Sequence, residues 1–164
     1  MRRPQAAVRR ELELLYRSRY PDFVRVATAI TESNPGGIDA VQEAFTQALS
    51  ALGRYRHEAP LEAWVWRIVV NAALAQRRGN REVGQPERLE AASKNGTGPD
   101  RSGVRTWIAN LPERQRLAVF LRYYADLDYR SIAVTLGVEV GTVSATLNAA
   151  HTALRSSLTE VPND

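Results

Sequence analysis

The chain has 164 residues, 44% hydrophobic, 24% charged and 7% aromatic, a balance that excludes global disorder and a fibrous protein and allows one domain or two small ones. It has no cysteine and only two histidines, His57 and His151, so a disulfide framework, thiol chemistry and a cysteine-type zinc site are excluded, and a histidine-rich metal centre lacks ligands. The net charge is +4, every positive residue but Lys94 is arginine, and the excess lies within residues 1–78, which hold twelve arginines against eight acids. Arginine suits phosphate and base edges, so the bias points to nucleic acid, although a high-GC genome produces it without any function. No apolar run approaches ~18 residues, and the arginine-rich start puts charge where a signal peptide needs apolar residues. The expectation is a cytoplasmic protein without membrane insertion.

In chain order, Val8, Leu12, Leu15 and Tyr16 recur at helical spacing and predict a first helix, with Phe23, Val24, Ala27 and Ile30 continuing the pattern as a second helix after Pro21. Pro35-Gly36-Gly37 predicts a break. Asp39 then stands as an N-terminal cap with Gln42 three residues on, opening a helix whose apolar stripe is Val41, Ala44, Phe45, Ala48, Leu49 and Leu52. A further break at Gly53 precedes a helix over Leu61 to Arg78, with Trp64, Val65, Ile68, Ala72 and Leu74 expected on its inner side. Residues 79–103 bring five glycines and two prolines and predict a flexible linker, too long for an ordinary connection within one domain.

Beyond it, residues 104–110 predict a short helix, Glu113 to Tyr124 a longer one, and Asp128 caps a helix from Tyr129 to Leu136. Gly137 stops that helix, and Val140 to Leu158 forms the last, with Val143, Leu147, Ala150 and Leu154 inward. The fold class is therefore all-α: two small helical domains, 5–78 and 104–158, joined by a linker over 79–103. Ala133, Gly137 and Val143 have the spacing of a helix-turn-helix: a small residue at the crossing, a glycine in the turn and an aliphatic plug. From this spacing alone, a helical hairpin without a DNA role remains the alternative. The chain does not read as an enzyme, since no nucleophile has a base near it in sequence and the two histidines lie far apart. No cofactor or metal is implied.

The string LPERQRLAVFLRYYADLDYRSIAVTLGVEVGTVSATLNAAHTALR resembles the C-terminal, promoter-binding region of bacterial RNA polymerase sigma factors, above all the extracytoplasmic-function (ECF) group. IDAVQEAFTQALSALGRYRHEAPLEAWVWRIVVNAALAQRR resembles the most distinctive N-terminal segment of the same family, and the two cover the chain from about Glu11 to Leu158. The resemblance implies a factor that binds core RNA polymerase (its beta and beta-prime subunits) and promoter DNA, opens the minus-ten region, and admits an anti-sigma factor as a further partner. The alternative is a sigma-like helix-turn-helix regulator that does not itself initiate transcription.

Residue by residue, the resemblance puts Asp39, Gln42, Glu43 and Phe45 on the helix that docks on the polymerase clamp; without it, Gln42 and Glu43 would be a solvated face. The loop Tyr55-Arg56-His57-Glu58-Ala59-Pro60 matches the loop that accepts a base flipped from the non-template strand, with Asn71 facing that pocket; stacking and amide edge-reading suit an unstacked base, while an aromatic capping the core is the bland account of Tyr55. Trp64 and Trp66, two apart, cannot share a helix face. Trp64 is assigned to packing, whereas Trp66 and Arg67 either reach DNA or cover surface. Arg54, Arg56, Arg67, Arg77 and Arg78 form a basic belt for phosphate contacts, with a solvated face the competing account of Arg77 and Arg78.

The last helix departs from the family. Relatives usually carry a run like Val-Gly-Thr-Val-Lys-Ser-Arg-Leu-His-Arg-Ala-Arg, where this chain has Val140-Gly141-Thr142-Val143-Ser144-Ala145-Thr146-Leu147-Asn148-Ala149-Ala150-His151, so four basic positions have become Ser144, Thr146, Ala149 and His151. Each missing cation removes a phosphate or guanine contact, a good base contact discriminating by about 1–3 kcal/mol. The residues left for a minus-thirty-five element are Arg114, Arg116, Arg122 and Arg130, with Thr142, Ser144, Ala145, Thr146, Asn148 and Ala149 on the recognition helix.

Overall fold

The structure, a computed structural model, describes residues 4–82 and 102–159, so most of the predicted linker lies outside the described residues. The elements run α1 Gln5–Thr31, α2 Asn34–Ala51, a 3-10 turn Leu52–Arg54, α3 Leu61–Glu82, α4 Ser102–Ala109, α5 Glu113–Tyr123, α6 Tyr129–Leu136 and α7 Val140–Thr159, with no strand among the described residues.

Pro21 does not end the first helix; it lies inside α1, and the two predicted helices are one. An interior proline costs about 3 kcal/mol. The residues beyond it, Phe23, Val26, Ala27 and Ile30, are buried on the face that Val8 and Leu12 begin, and each larger side chain returns about 1.5–3 kcal/mol. Burial therefore outweighs the break.

The next boundary also differs from expectation. Pro35-Gly36-Gly37 forms the first turn of α2 rather than a break, and Ser33, not Asp39, is the cap, its hydroxyl accepting from the Gly36 amide at 3.2 Å. Proline is tolerated there because a first-turn amide has no partner within the helix. Gly37 is needed for a second reason: a Cβ on it would stand 2.6 Å from the Thr28 backbone nitrogen, so its lack of a side chain lets α1 and α2 touch through backbone.

α1, α2 and α3 pack mutually around Phe23, Phe45 and Trp66. The Phe23 ring lies 4.4 Å from Trp66 and 5.3 Å from Phe45 between centroids. α5, α6 and α7 close a second core of Leu121, Ile132, Val143 and Leu147. Here sequence and structure coincide closely. Asp128 caps α6 by accepting from the Ser131 amide at 2.7 Å, and Gly137 ends it at φ +66° while Val138 N–H returns to the Ala133 carbonyl at 3.0 Å. α6 also packs against α3, which joins both cores into one apolar cluster.

Candidate nucleic-acid and polymerase interfaces

α3 presents one polar face. Residues 64, 67, 71 and 78 are three, four and seven apart, so they line up along a helix. Trp64 there is half-buried, while Arg67, Asn71 and Arg78 are exposed. At its N-terminal end this strip meets the loop that carries Tyr55. The Tyr55 ring lies 5.2 Å from Trp64 and 4.4 Å from His57, and its hydroxyl donates to the Ala59 carbonyl, which closes the loop on itself. His57 holds φ +60°, a left-handed conformation that costs a non-glycine residue of order 1 kcal/mol, and it is exposed together with Arg54 and Arg56. The loop and the strip together offer aromatic faces, an amide and the exposed guanidiniums of Arg54, Arg56, Arg67 and Arg78, the chemistry that single-stranded nucleic acid requires.

Three expectations need correction here. Trp66 does not reach the surface; it is fully buried, because the inward stripe of α3 is Val65, Trp66, Val69, Val70 and Ala73. The partly exposed tryptophan is Trp64. Arg77 is not an open phosphate contact either, since its side chain is 13% exposed and paired with Glu32 at 3.5 Å and Glu113 at 3.6 Å. Phe45 is 7% exposed and packs edge-on to Tyr16 at 4.8 Å, so it supports α2 from behind instead of sharing its outer surface.

That outer surface of α2 carries Asp39, Gln42 and Glu43, all exposed, and continues through Thr46, Gln47 and Ser50. Gln47 donates to Glu43 at 2.8 Å, and a shallow groove lined by Glu43, Thr46, Gln47, Ser50 and Arg54 runs toward the 3-10 turn.

On α7, Thr142, Ala145, Asn148 and Ala149 form the open face. Ser144 and Thr146 flank it half-buried, and the Thr146 hydroxyl is occupied by the Thr142 carbonyl at 2.7 Å. His151 meets the Tyr123 hydroxyl at 2.8 Å. Arg114 and Arg130 are exposed. Arg116 donates to the Ala109 carbonyl at 3.0 Å, and Arg122 to the Leu127 carbonyl at 3.2 Å while lying 5.9 Å from the Tyr129 ring centre. The Asp128 carboxyl beside them is held below the ordinary carboxylate range, first by the Ser131 amide and hydroxyl and then by Arg130 and Arg122, with desolvation opposing.

Comparison with known proteins decides the family. The Sigma-70 region 2 model matches residues 15–83 and the Sigma-70 region 4 model residues 103–154. The ECF RNA polymerase sigma-E factor of Escherichia coli K12 is 32% identical, over 79% of this chain and 78% of its own length. The chain belongs to the ECF RNA polymerase sigma factors. It is also similar to the sigma factor SigV of Bacillus subtilis, 27% identical over 85% of this chain and 86% of that one. Two solved folds align along almost the whole length at 21% identity: RpoE of Bartonella quintana, solved with the anti-sigma factor NepR, at a TM-score of 0.69, and CnrH, solved with the cytosolic domain of CnrY, at 0.73.

This ECF sigma factor acts in transcription initiation. Its region 2 match spans the α2 face, the Tyr55 loop and the α3 strip, and its region 4 match runs from α4 through most of α7. Among the described residues no single helix is long and apolar enough to cross a membrane. Trp64 packs against the core as expected, but sequence reasoning missed that it is only half-buried. The signal that would have found it is its spacing to Arg67, Asn71 and Arg78, which places it on the polar face, while Trp66 keeps step with Val69, Val70 and Ala73.

Proposed function

We propose that Asp39, Gln42 and Glu43 on α2 dock the chain on core RNA polymerase, that the Tyr55 loop and the α3 strip hold the opened minus-ten element, and that α7 meets the upstream element with few phosphate contacts. One observation carries this reading: Tyr55 is in ring contact with Trp64, which stands at helical spacing with the exposed Arg67, Asn71 and Arg78 on α3. Tyr55 and Trp64 stack on an unpaired base, Asn71 reads its edge, and the arginines position the backbone. Arg54, Arg56 and His57 extend the surface. Domains 5–78 and 104–158 divide the work, and the chain catalyses no reaction of its own. It works in the cytoplasm, where polymerase is. An anti-sigma factor is a further partner, a proposal supported by the two similar folds solved with such proteins.

A second reading, a DNA-binding regulator that does not initiate, draws on α7, in which Arg155 is the only permanent cation. Reconstitution with core polymerase on a pool of genomic promoters separates the two. Run-off transcripts that require the chain are expected; DNA binding without transcripts favours the regulator.

A further inference from the structure

Rings meet in the loop between the 3-10 turn and α3. Tyr55 is anchored there: its amide donates to the Leu52 carbonyl at 3.2 Å, its hydroxyl to the Ala59 carbonyl, and its ring lies 5.2 Å from that of Trp64. Trp64 is set in turn on the first turn of α3, where its amide donates to the Pro60 carbonyl at 3.2 Å. His57 is held differently. It is exposed, its imidazole centre lies 4.4 Å from the Tyr55 ring at an interplanar angle of 56°, and its backbone takes φ +60°.

Glycine adopts that backbone without strain, whereas a residue with a Cβ loses roughly a factor of five in population. A side chain kept at such a position inside a binding loop points to a role for the side chain itself. At 4.4 Å the imidazole is in direct ring contact with Tyr55, and a nucleobase is a flat ring of similar thickness. The two exclude each other from that part of Tyr55. Because Tyr55 is anchored and His57 is exposed, it is His57 that gives way. A base stacked on an aromatic side chain contributes more than an average pair of side-chain rings, so the exchange runs toward the base once DNA is present.

We propose that His57 is a plug for the base site: in the free chain its imidazole occupies stacking surface of Tyr55, and an unpaired base enters by displacing it. The proposal rests on the reading of this loop as the minus-ten site. The surface released suits a planar heteroaromatic ring of single-stranded DNA, with the exposed Arg54 and Arg56 next in sequence to hold its phosphates. Displacing the plug weakens every base by the same factor, whatever its identity. Stray unpaired strands are therefore captured poorly, and a strand stays bound only where further contacts, such as those of Arg67 and Asn71, add to the stack.

The full chain with core polymerase, titrated with fork-junction DNA whose minus-ten non-template strand is unpaired, reads the effect. His57→Asn removes the ring and keeps a residue that tolerates the left-handed backbone, so affinity should rise about two- to tenfold, the ring contact no longer having to break. The gain should vanish in the double variant with Tyr55→Leu, since a double-mutant cycle isolates the coupling of two side chains in contact. The chain has only two histidines, so proton NMR of the free chain assigns the His57 ring by its loss in His57→Asn. Its signals should be displaced by the Tyr55 ring current and relax in Tyr55→Leu. Unchanged or reduced affinity in His57→Asn overturns the plug, as does a gain that persists without Tyr55, or a His57 ring free of any ring-current shift. Tyr55→Leu alone separates the two readings. Weaker binding there upholds the loop as the base site whatever His57 does, whereas wild-type affinity overturns that assignment and the plug with it.

Discussion

Gly37 fixes how near α1 and α2 approach. Its added Cβ would meet the Thr28 hydroxyl, amide and Cα all within 3 Å, and two of those three atoms belong to backbone that cannot swing away. Gly37→Ala should therefore destabilise the chain by about 1–3 kcal/mol despite alanine's better helix propensity, as read from urea unfolding. The proposed docking surface of α2 should suffer with it, since Asp39 and Gln42 follow within a turn or so. Residue-scale detail of this kind was only partly legible. Apolar residues recurring at three- and four-residue spacing along α3 located the helix, but two tryptophans at 64 and 66 left its phase ambiguous, and packing of Trp66 against Phe23 settled it. Arg77 was illegible for another reason: its partners Glu32 and Glu113 lie 45 and 36 positions away, and local spacing carries no signal of them.

α6 is the element whose ends the sequence stated most plainly. Asp128, Gly137 and the apolar spacing between them are local devices, and local devices survive tertiary context. Pro21 shows the opposite, a strong local break overridden by burial on both sides. Replacing Asp128 by alanine should cost about 1 kcal/mol at neutral pH, measured by thermal unfolding. The sign of its pH dependence follows from the lowered carboxyl pKa. Stabilisation is complete above the ordinary carboxylate range and is lost as pH falls through the lower folded value, so the difference between wild type and Asp128→Ala should narrow as the solution is acidified below that range. α7 yields a separate expectation. Ala145 and Ala149 lie on its open face, whereas Ser144 and Thr146 are half-buried, so Ala145→Arg with Ala149→Arg is the productive way to add cations. Two more phosphate contacts should steepen the logarithmic salt dependence of DNA binding by about 1.8.

Across the whole molecule, the all-α architecture and the order of its helices were open to sequence reasoning because periodicity and turn residues are written locally. The docking of α6 on α3 was not, since it depends on surfaces brought together from residues 63 and 135. The candidate site lies between these cases: Asp39, Gln42, Glu43, Arg67 and Asn71 are exposed, while Phe45, Trp66 and Arg77 are packed or paired. The central claim is that this sigma factor opens promoter DNA with core polymerase through the α3 strip and its adjoining loop. Permanganate reactivity of thymines at the minus-ten element, which reports unpaired bases, tests that claim most directly. Wild-type chain with core polymerase should give strong reactivity, Asn71→Ala should lose most of it while still binding core and duplex, and Glu43→Arg should lose it through weaker core binding at unchanged helix content. Full reactivity in Asn71→Ala, or none in the wild type on any promoter of the pool, would contradict the account.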